Sequence, residues 1–152
     1  MPTIRPARPA EADRLTAIAQ AAKRHWGYPE AWMDAWCDAL TFTPAFVETH
    51  PVWVATEADD VPVACVALSA DGDAVEVEHL WVEPSAMGRG LGRALFEHAV
   101  RAARDRGGTA LFIDSDPHAE PFYQRLGAAR VGWTRADVLG ERRQLPRLRL
   151  DL

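Results

Sequence analysis

The sequence predicts a mixed α/β or α+β domain built on a single sheet. Three observations lead there. The chain has 152 residues, a length at which roughly 70% of the unfolded surface can be buried in one domain. Helical and strand periodicities follow one another in the order β α α β β β α β α β β. After Pro51, three strand-like runs are separated only by short Asp/Gly/Pro punctuation, which makes them antiparallel neighbours. No repeat, low-complexity tract or linker interrupts the pattern, so residues 1–152 are read as one domain.

"TIRPA" (3–7) is a short first strand. In "AEADRLTAIAQAAKRHW", Leu15, Ile18, Ala19 and Ala22 follow helical spacing. Gly27, Tyr28 and Pro29 break that helix, and "EAWMDAWCDAL" then puts Trp32, Met33, Trp36, Cys37 and Leu40 on one stripe. A turn or short helix follows at "TPAFVETH". "VWVATE", "VPVACVALSA" and "DAVEVEHLWVE" are the three antiparallel strands. A helix of about 18 residues follows, stopped at Gly107 and Gly108. "TALFID" is a strand, and "DPHAEPFYQRLG" is a helix with Asp116 as N-cap, Pro117 at its first position and Gly127 past its end. "ARVGWTR" and "LPRLRLDL" close the sheet.

The formal net charge is -5, which argues against a broad nucleic-acid-binding face. The N-terminus lacks an apolar secretory region and no apolar run reaches membrane length, so a cytoplasmic protein without a membrane partner is expected. The histidines show no metal-ligand spacing, so no metal is expected. Cys37 and Cys65 both lie in apolar segments and are expected to be buried thiols.

"EPSAMGRGLGRALFEHA" (83–99) carries the chemistry. A glycine-rich loop between a strand and a helix N-terminus offers outward-pointing N–H groups and the positive end of the helix dipole to an anion. Arg89 and Arg93 add cations with donors suited to phosphate. A dinucleotide-binding fingerprint fits poorly, because residues 83–87 separate the strand from the first glycine and three antiparallel strands precede it. A P-loop is excluded, because no Gly-Lys-Ser/Thr follows. A third reading is the pyrophosphate loop of a CoA-dependent N-acyltransferase, and it rests on a resemblance.

Indeed "LWVEPSAMGRGLGRALFEHA" resembles motif A of the GNAT (GCN5-related N-acetyltransferase) superfamily, in which a Q/R-x-x-G-x-G/A loop cradles the CoA pyrophosphate. Here the loop comprises Met87, Gly88, Arg89, Gly90, Leu91 and Gly92, with Met87 where Gln or Arg is usual. "DPHAEPFYQRLGA" resembles motif B, with Ala119, Tyr123 and Gly127 at the family's spacing, Asp116 in place of Asn and Ala128 in place of Phe. The resemblance runs from about Thr3 to the end of the chain. It also extends to a GNAT subgroup marked by "HWGYP", "DP-x-A-E-x-FY" and "R-x-LP", which brings no substrate with it.

The resemblance implies a mostly antiparallel sheet of about seven strands flanked by about four helices, with strands 4 and 5 splayed apart. It implies acetyl-CoA as co-substrate, held by the glycine loop, by Asp116 and Ala119, and by backbone groups at Leu80, Trp81 and Val82. Tyr123 takes the general-acid position; its bland alternative is packing with Phe122. Glu76, Glu78 and His79 lie on the fourth strand as alternatives for the base, beside solvated-charge and core-histidine readings. In an ideal strand Val75, Val77, His79 and Trp81 share one face, although a bulge is common there in the family. Acceptor contacts are expected from Trp26, Tyr28 and Trp32 in the first two helices. The default for the stripe Glu30, Asp34 and Asp38 is a solvated face, and for Arg142 and Arg143 surface arginines. The expected activity is direct acetyl transfer to a small-molecule primary amine. The alternatives are another acyl-CoA, a protein amine, or a CoA-binding sensor without turnover. The tryptophan-rich N-terminal helices leave a homodimer open.

Overall fold

The computed structural model describes residues 2–152. Strand β1 (Thr3–Pro6) leads through a 3-10 turn (Pro9–Glu11) into α1 (Ala12–Arg24), α2 (Glu30–Ala35) and α3 (Pro44–Thr49). Three strands follow, β2 (Val52–Thr56), β3 (Pro62–Asp71) and β4 (Ala74–Val82). A second 3-10 turn (Pro84–Ala86) leads to α4 (Leu91–Asp105), β5 (Ala110–Asp114), α5 (Glu120–Arg125), β6 (Ala129–Arg135) and β7 (Gln144–Asp151). The sheet order is β1-β2-β3-β4-β5-β7-β6. Only β4 and β5 pair in parallel.

Each face of the sheet carries its own core. Leu95, Phe96 and Ala99 of α4 and Tyr123 of α5 pack against Val66, Leu68, Val75, Val77, Leu111 and Leu148. On the opposite face Leu15, Ile18 and Ala19 of α1, with Met33, Phe42 and Val47, cover Val52, Val54, Cys65 and Ala67. The apolar stripe of α1 is buried as its spacing predicts.

Among the described residues five helices flank the sheet, one of them the short helix weighed at 44–49, where the Thr43 hydroxyl accepts from the Phe46 amide at 3.0 Å. Two local expectations are corrected. Helix α2 stops at Ala35, so Cys37 is exposed and only Cys65 is a buried thiol, pushed up to about 12 by burial. Helix α5 begins at Glu120, because the Asp116 carboxylate is drawn away to Lys23 and Tyr28 and shapes a turn instead of a cap. The bulge allowed for on β4 is present: the β3–β4 register shifts between Ala67 and Leu68, which pair with His79 and Val77, so Glu78 is its extra residue. The bulge keeps Val75 and Val77 on the α4 face but turns His79 and Trp81 to the α1 face, where His79 meets Phe42 and Trp81 packs with Cys65 and Ala67.

Phe96 is fully buried and its ring lies 5.5 Å from that of Tyr123. Phe96→Ala is expected to cost about 3–5 kcal/mol in urea unfolding.

Candidate active site

The parallel β4–β5 ladder has three pairs, ending at Glu76 and Phe112. Beyond it β4 stays paired with β3 as far as Val82, and β5 with β7 as far as Asp114, so a gap opens between them. The Glu83 amide donates to the Val63 carbonyl on the β3 side at 2.9 Å. Antiparallel alternation therefore turns the backbone of Trp81 towards β3 and the N–H and C=O groups of Leu80 and Val82 into the gap. The gap is part of a cleft of about 750 Å³.

The glycine loop closes one end of this cleft. Gly88 and Gly90 have φ of +80° and +78°, a region glycine enters without strain, and Gly90 is the N-cap of α4. The first helical bond runs from the Ala94 amide to the Gly90 carbonyl, 3.0 Å. The amides of Gly88, Arg89, Gly90, Leu91, Gly92 and Arg93 have no protein acceptor among the described residues. Gly92 packs against the Phe122 ring of α5, which a Cβ there would meet at 3.4 Å, so α5 lies against the first turn of α4. Free amides at a helix N-terminus, left-handed glycines and an adjoining cleft suit a pyrophosphate followed by an extended arm. Met87 lines the cleft with its side chain, while its amide is bonded to Pro84. Arg89 and Arg93 are exposed and paired with Glu57 and Glu97, contacts weak enough to be exchanged for a phosphate.

Tyr123 is buried and lines the cleft, and its hydroxyl makes no hydrogen bond among the described residues. Burial, then the Asp116 charge, pushes its phenol up from its ordinary value. The three residues weighed as bases part company. Glu76 forms a two-bond ion pair with Arg147 across β5 and does not line the cleft. Glu78, at the bulge, does line it, with one carboxylate oxygen accepting from Ser69 at 2.6 Å. His79 lines it too, but its Nδ1 accepts the Trp81 indole N–H at 2.9 Å. An indole nitrogen only donates, so the His79 proton sits on Nε2 and its single lone pair is taken. Burial, then His50, pushes His79 down to about 4, so it is neutral at pH 7.

On the acceptor side Trp26 lines the cleft and stacks on His118 at 4.9 Å between ring centroids. Tyr28 and Trp32 lie behind the cleft wall in a stack with Trp36. There they cover a buried charge cluster. Asp116 accepts from Lys23 (2.8 Å), Tyr28 (2.9 Å), the His118 amide (2.9 Å) and His118 Nδ1 (2.8 Å). Arg143 donates to the Tyr28 hydroxyl at 2.6 Å and lies over the Tyr28 and Trp36 rings, 5.0 Å from each centroid. Arg143 is thus largely buried, against the surface default; Arg142 is exposed. Glu30, Asp34 and Asp38 are exposed, as that default has it. Burial works against the charged form of Asp116, yet the Lys23 bond and charge, with the His118 donors, hold its carboxyl below the usual carboxylate range. Burial lowers the Lys23 ammonium despite the same bond. Ala119 lines the cleft beside Asp116.

The sequence profile of the acetyltransferase (GNAT) family matches residues 13–128. The chain belongs to the GNAT family. Among curated relatives, the peptidyl-lysine N-acetyltransferase YjaB of Escherichia coli is 31% identical over 97 residues, 64% of this chain and 62% of that protein. The alignment therefore spans less than two thirds of the relative's length. The GCN5-related N-acetyltransferase described as "Aminotransferase, Class-II" from Rhodopseudomonas palustris superimposes with a TM-score of 0.84 at 24% identity, covering 100% of this chain and 96% of that one. The PaiA N-acetyltransferase of Thermoplasma acidophilum, solved with coenzyme A, does so at 0.75 and 14% identity, covering 100% and 99%.

With this GNAT fold in view, the residues that sequence reasoning passed over are Lys23, His118 and Ser69. Lys23 left a signal, since it stands four positions after Ala19 on the buried stripe of α1, where a lysine needs a partner. His118 lies inside motif B with no periodicity to mark it. Among the described residues no group of His, Cys, Asp and Glu side chains has metal-site geometry. No helix of the described chain is long and apolar enough to cross a membrane.

Two buried cations share one carboxylate, and this asymmetry is testable. Asp116→Ala is expected to cost about 3–5 kcal/mol by urea unfolding at pH 7. Lys23→Met, which leaves the carboxylate with Tyr28, His118 and Arg143, is expected to cost less. Because the folded pKa of Asp116 is depressed, its contribution is fully present above the unfolded value of about 3.9 and is lost as pH falls through the folded one. The stability gap between wild type and Asp116→Asn should close along that acid limb.

Proposed function

We propose that the protein is an acetyl-CoA-dependent N-acetyltransferase that moves an acetyl group directly to a primary amine of a small molecule in a ternary complex. One observation carries this reading: the unpaired amides of residues 88–93, the gap-facing backbone of Leu80 and Val82, and the free hydroxyl of Tyr123 all border one cleft. The loop amides, with Arg89 and Arg93 released from their glutamates, would hold the pyrophosphate. Leu80 and Val82 would bond the pantetheine arm as a strand bonds its neighbour, and one of their amides would polarise the reacting carbonyl. When bound, acetyl-CoA supplies an acyl group activated as a thioester.

Burial raises the Tyr123 phenol, so it is protonated at neutral pH and would serve as the proton donor to the departing thiolate. Glu78, whose second carboxylate oxygen is free, draws a cationic amine into the cleft. Direct transfer is supported by the cysteines, since Cys65 is buried in the α1-side core and Cys37 lies on the surface, with neither at the cleft. A lysine side chain is also a primary alkylamine, and the relative named for peptidyl-lysine acetylation favours a protein amine as the second reading.

Calorimetry with acetyl-CoA is the test. Wild type is expected to bind, and Gly90→Glu to lose binding, because it puts a carboxylate and a strained left-handed φ where the phosphates lie. Tyr123→Phe should keep the affinity and lower kcat about 100-fold or more. A folded wild type that does not bind acetyl-CoA overturns the transferase reading. Binding with equally negligible turnover in wild type and Tyr123→Phe across a panel of amines would favour a sensor instead.

A further inference from the structure

Two histidines line the cleft, and their hydrogen bonds fix opposite tautomers. At His79 the indole N–H of Trp81 occupies Nδ1, which leaves only an N–H on the far edge. At His118 the partners of Nδ1 are Asp116 Oδ1 at 2.8 Å and the Tyr28 hydroxyl oxygen at 3.3 Å. Both can only accept. The Asp116 carboxyl is ionised, and the Tyr28 hydroxyl gives its own proton to Asp116 Oδ2 at 2.9 Å. The His118 proton therefore sits on Nδ1. Its Nε2 lone pair is on the opposite edge of the ring and has no partner among the described residues.

Every other contact of this ring serves the same arrangement. Trp26 stacks on it nearly parallel, at an interplanar angle of 8°. Lys23 keeps Asp116 ionised, and Arg143 turns the Tyr28 oxygen towards the pair. The three strings that mark the sequence subgroup thus meet around Asp116: Tyr28 from "HWGYP", His118 from "DPHAEPFY" and Arg143 from "R-x-LP" each contact its carboxylate, and Trp26 stacks on His118.

We infer that His118, oriented by Asp116 and Tyr28, is the proton acceptor for the substrate amine. This rests on the transferase reading above and assigns the base to a residue outside β4. In the step, an N–H bond of the ammonium breaks, its electron pair stays on nitrogen, and the proton joins His118 Nε2. The ionised Asp116 stabilises the imidazolium that results. The neutral amine forms its bond to the acyl carbon as the carbon–sulfur bond breaks, the thiolate takes the Tyr123 proton and the second amine proton restores Tyr123, so the net transfer releases one proton, which passes from His118 to solvent. Glu78 then attracts the amine without having to deprotonate it.

The test pairs a structural readout with a kinetic one, both on the full chain. Nitrogen-15 NMR of the imidazoles should show the Nδ1–H tautomer at His118 and the Nε2–H tautomer at His79. Asp116→Asn, whose amide can donate to Nδ1, should shift His118 towards Nε2–H. With acetyl-CoA and a panel of lysine peptides, polyamines and arylethylamines, His118→Ala should lose about 100-fold or more in kcat. Its affinity for acetyl-CoA should match wild type, and added imidazole should restore part of the rate, which a purely structural role would not allow. An Nε2–H tautomer at His118 in wild type, or a His118→Ala variant as fast as wild type, overturns the assignment while the transferase reading stands. A wild type inert towards the whole panel overturns both.

Discussion

Strand β4 is bonded to β3 over its whole length but to β5 over only three residues. The cleft depends on that divergence. A sheet that stayed closed would satisfy the inner edge of β4 with β5 and leave no backbone donor for a ligand. Once the strands part, Leu80 and Val82 present unpaired groups to the gap. The two flanking cores hold it open. The α4 side packs on Val75, Val77, Leu80 and Val82, and the α1 side packs on Trp81 with His79 beside it. The bulge at Glu78 makes this division possible, because it changes which side chains face which core halfway along the strand. It also puts a carboxylate at the point where the strands separate.

The opposite wall is held by charge. Lys23, Asp116 and Arg143 come from α1, the β5–α5 turn and the β6–β7 connection, which no backbone ladder joins directly. Burying an ion pair seldom adds stability over a well-packed apolar core, so such a cluster is better explained by the geometry it imposes. Here it is shared with π faces on Tyr28 and Trp36. Its effect is to draw the α1–α2 loop onto the turn that precedes α5, with Trp26 in the cleft wall and Tyr28 behind it. Net charge gave no hint of it, because a chain with a formal charge of -5 still buries two cations against one carboxylate here.

Much of this was legible in the residues. The alternating apolar pattern of β2, β3 and β4, the helical stripe of α1 and the glycine loop are local signals, and local physics sets them. The seven strands and the position of Tyr123 followed from motif order. What failed was non-local. The face of His79 stayed open, because it depended on a bulge whose position only pairing with β3 defines. The start of α5 depended on Lys23 and Tyr28 competing for a carboxylate that the sequence offered as a cap. Cys37 depended on where α2 stopped, which its apolar stripe did not determine. Arg143 read as surface because arginines usually are, and its burial needed the aromatic stack that covers it. Three separate strings marked a subgroup without a substrate, and folding brings residues from all three to the Asp116 carboxylate.

The proposed acid and the proposed base stand on one short segment. Asp116 accepts from the Ala119 amide through its carbonyl and from the His118 amide through its carboxylate, and the Ala119 carbonyl in turn accepts from the Tyr123 amide. His118 and Tyr123 are therefore spaced by a hydrogen-bonded turn whose anchor is the buried carboxylate, so a shift of that anchor moves both. The same carboxylate bonds Tyr28, and His118 carries Trp26 on its face, which ties the acceptor wall to the same point. An amine that repositions the α1–α2 loop would then act on the proton-transfer groups through Asp116 without touching them. With both proposed groups on the β5 side, β4 contributes to the cleft through the gap-facing backbone of Leu80 and Val82 and through the Glu78 carboxylate at the bulge.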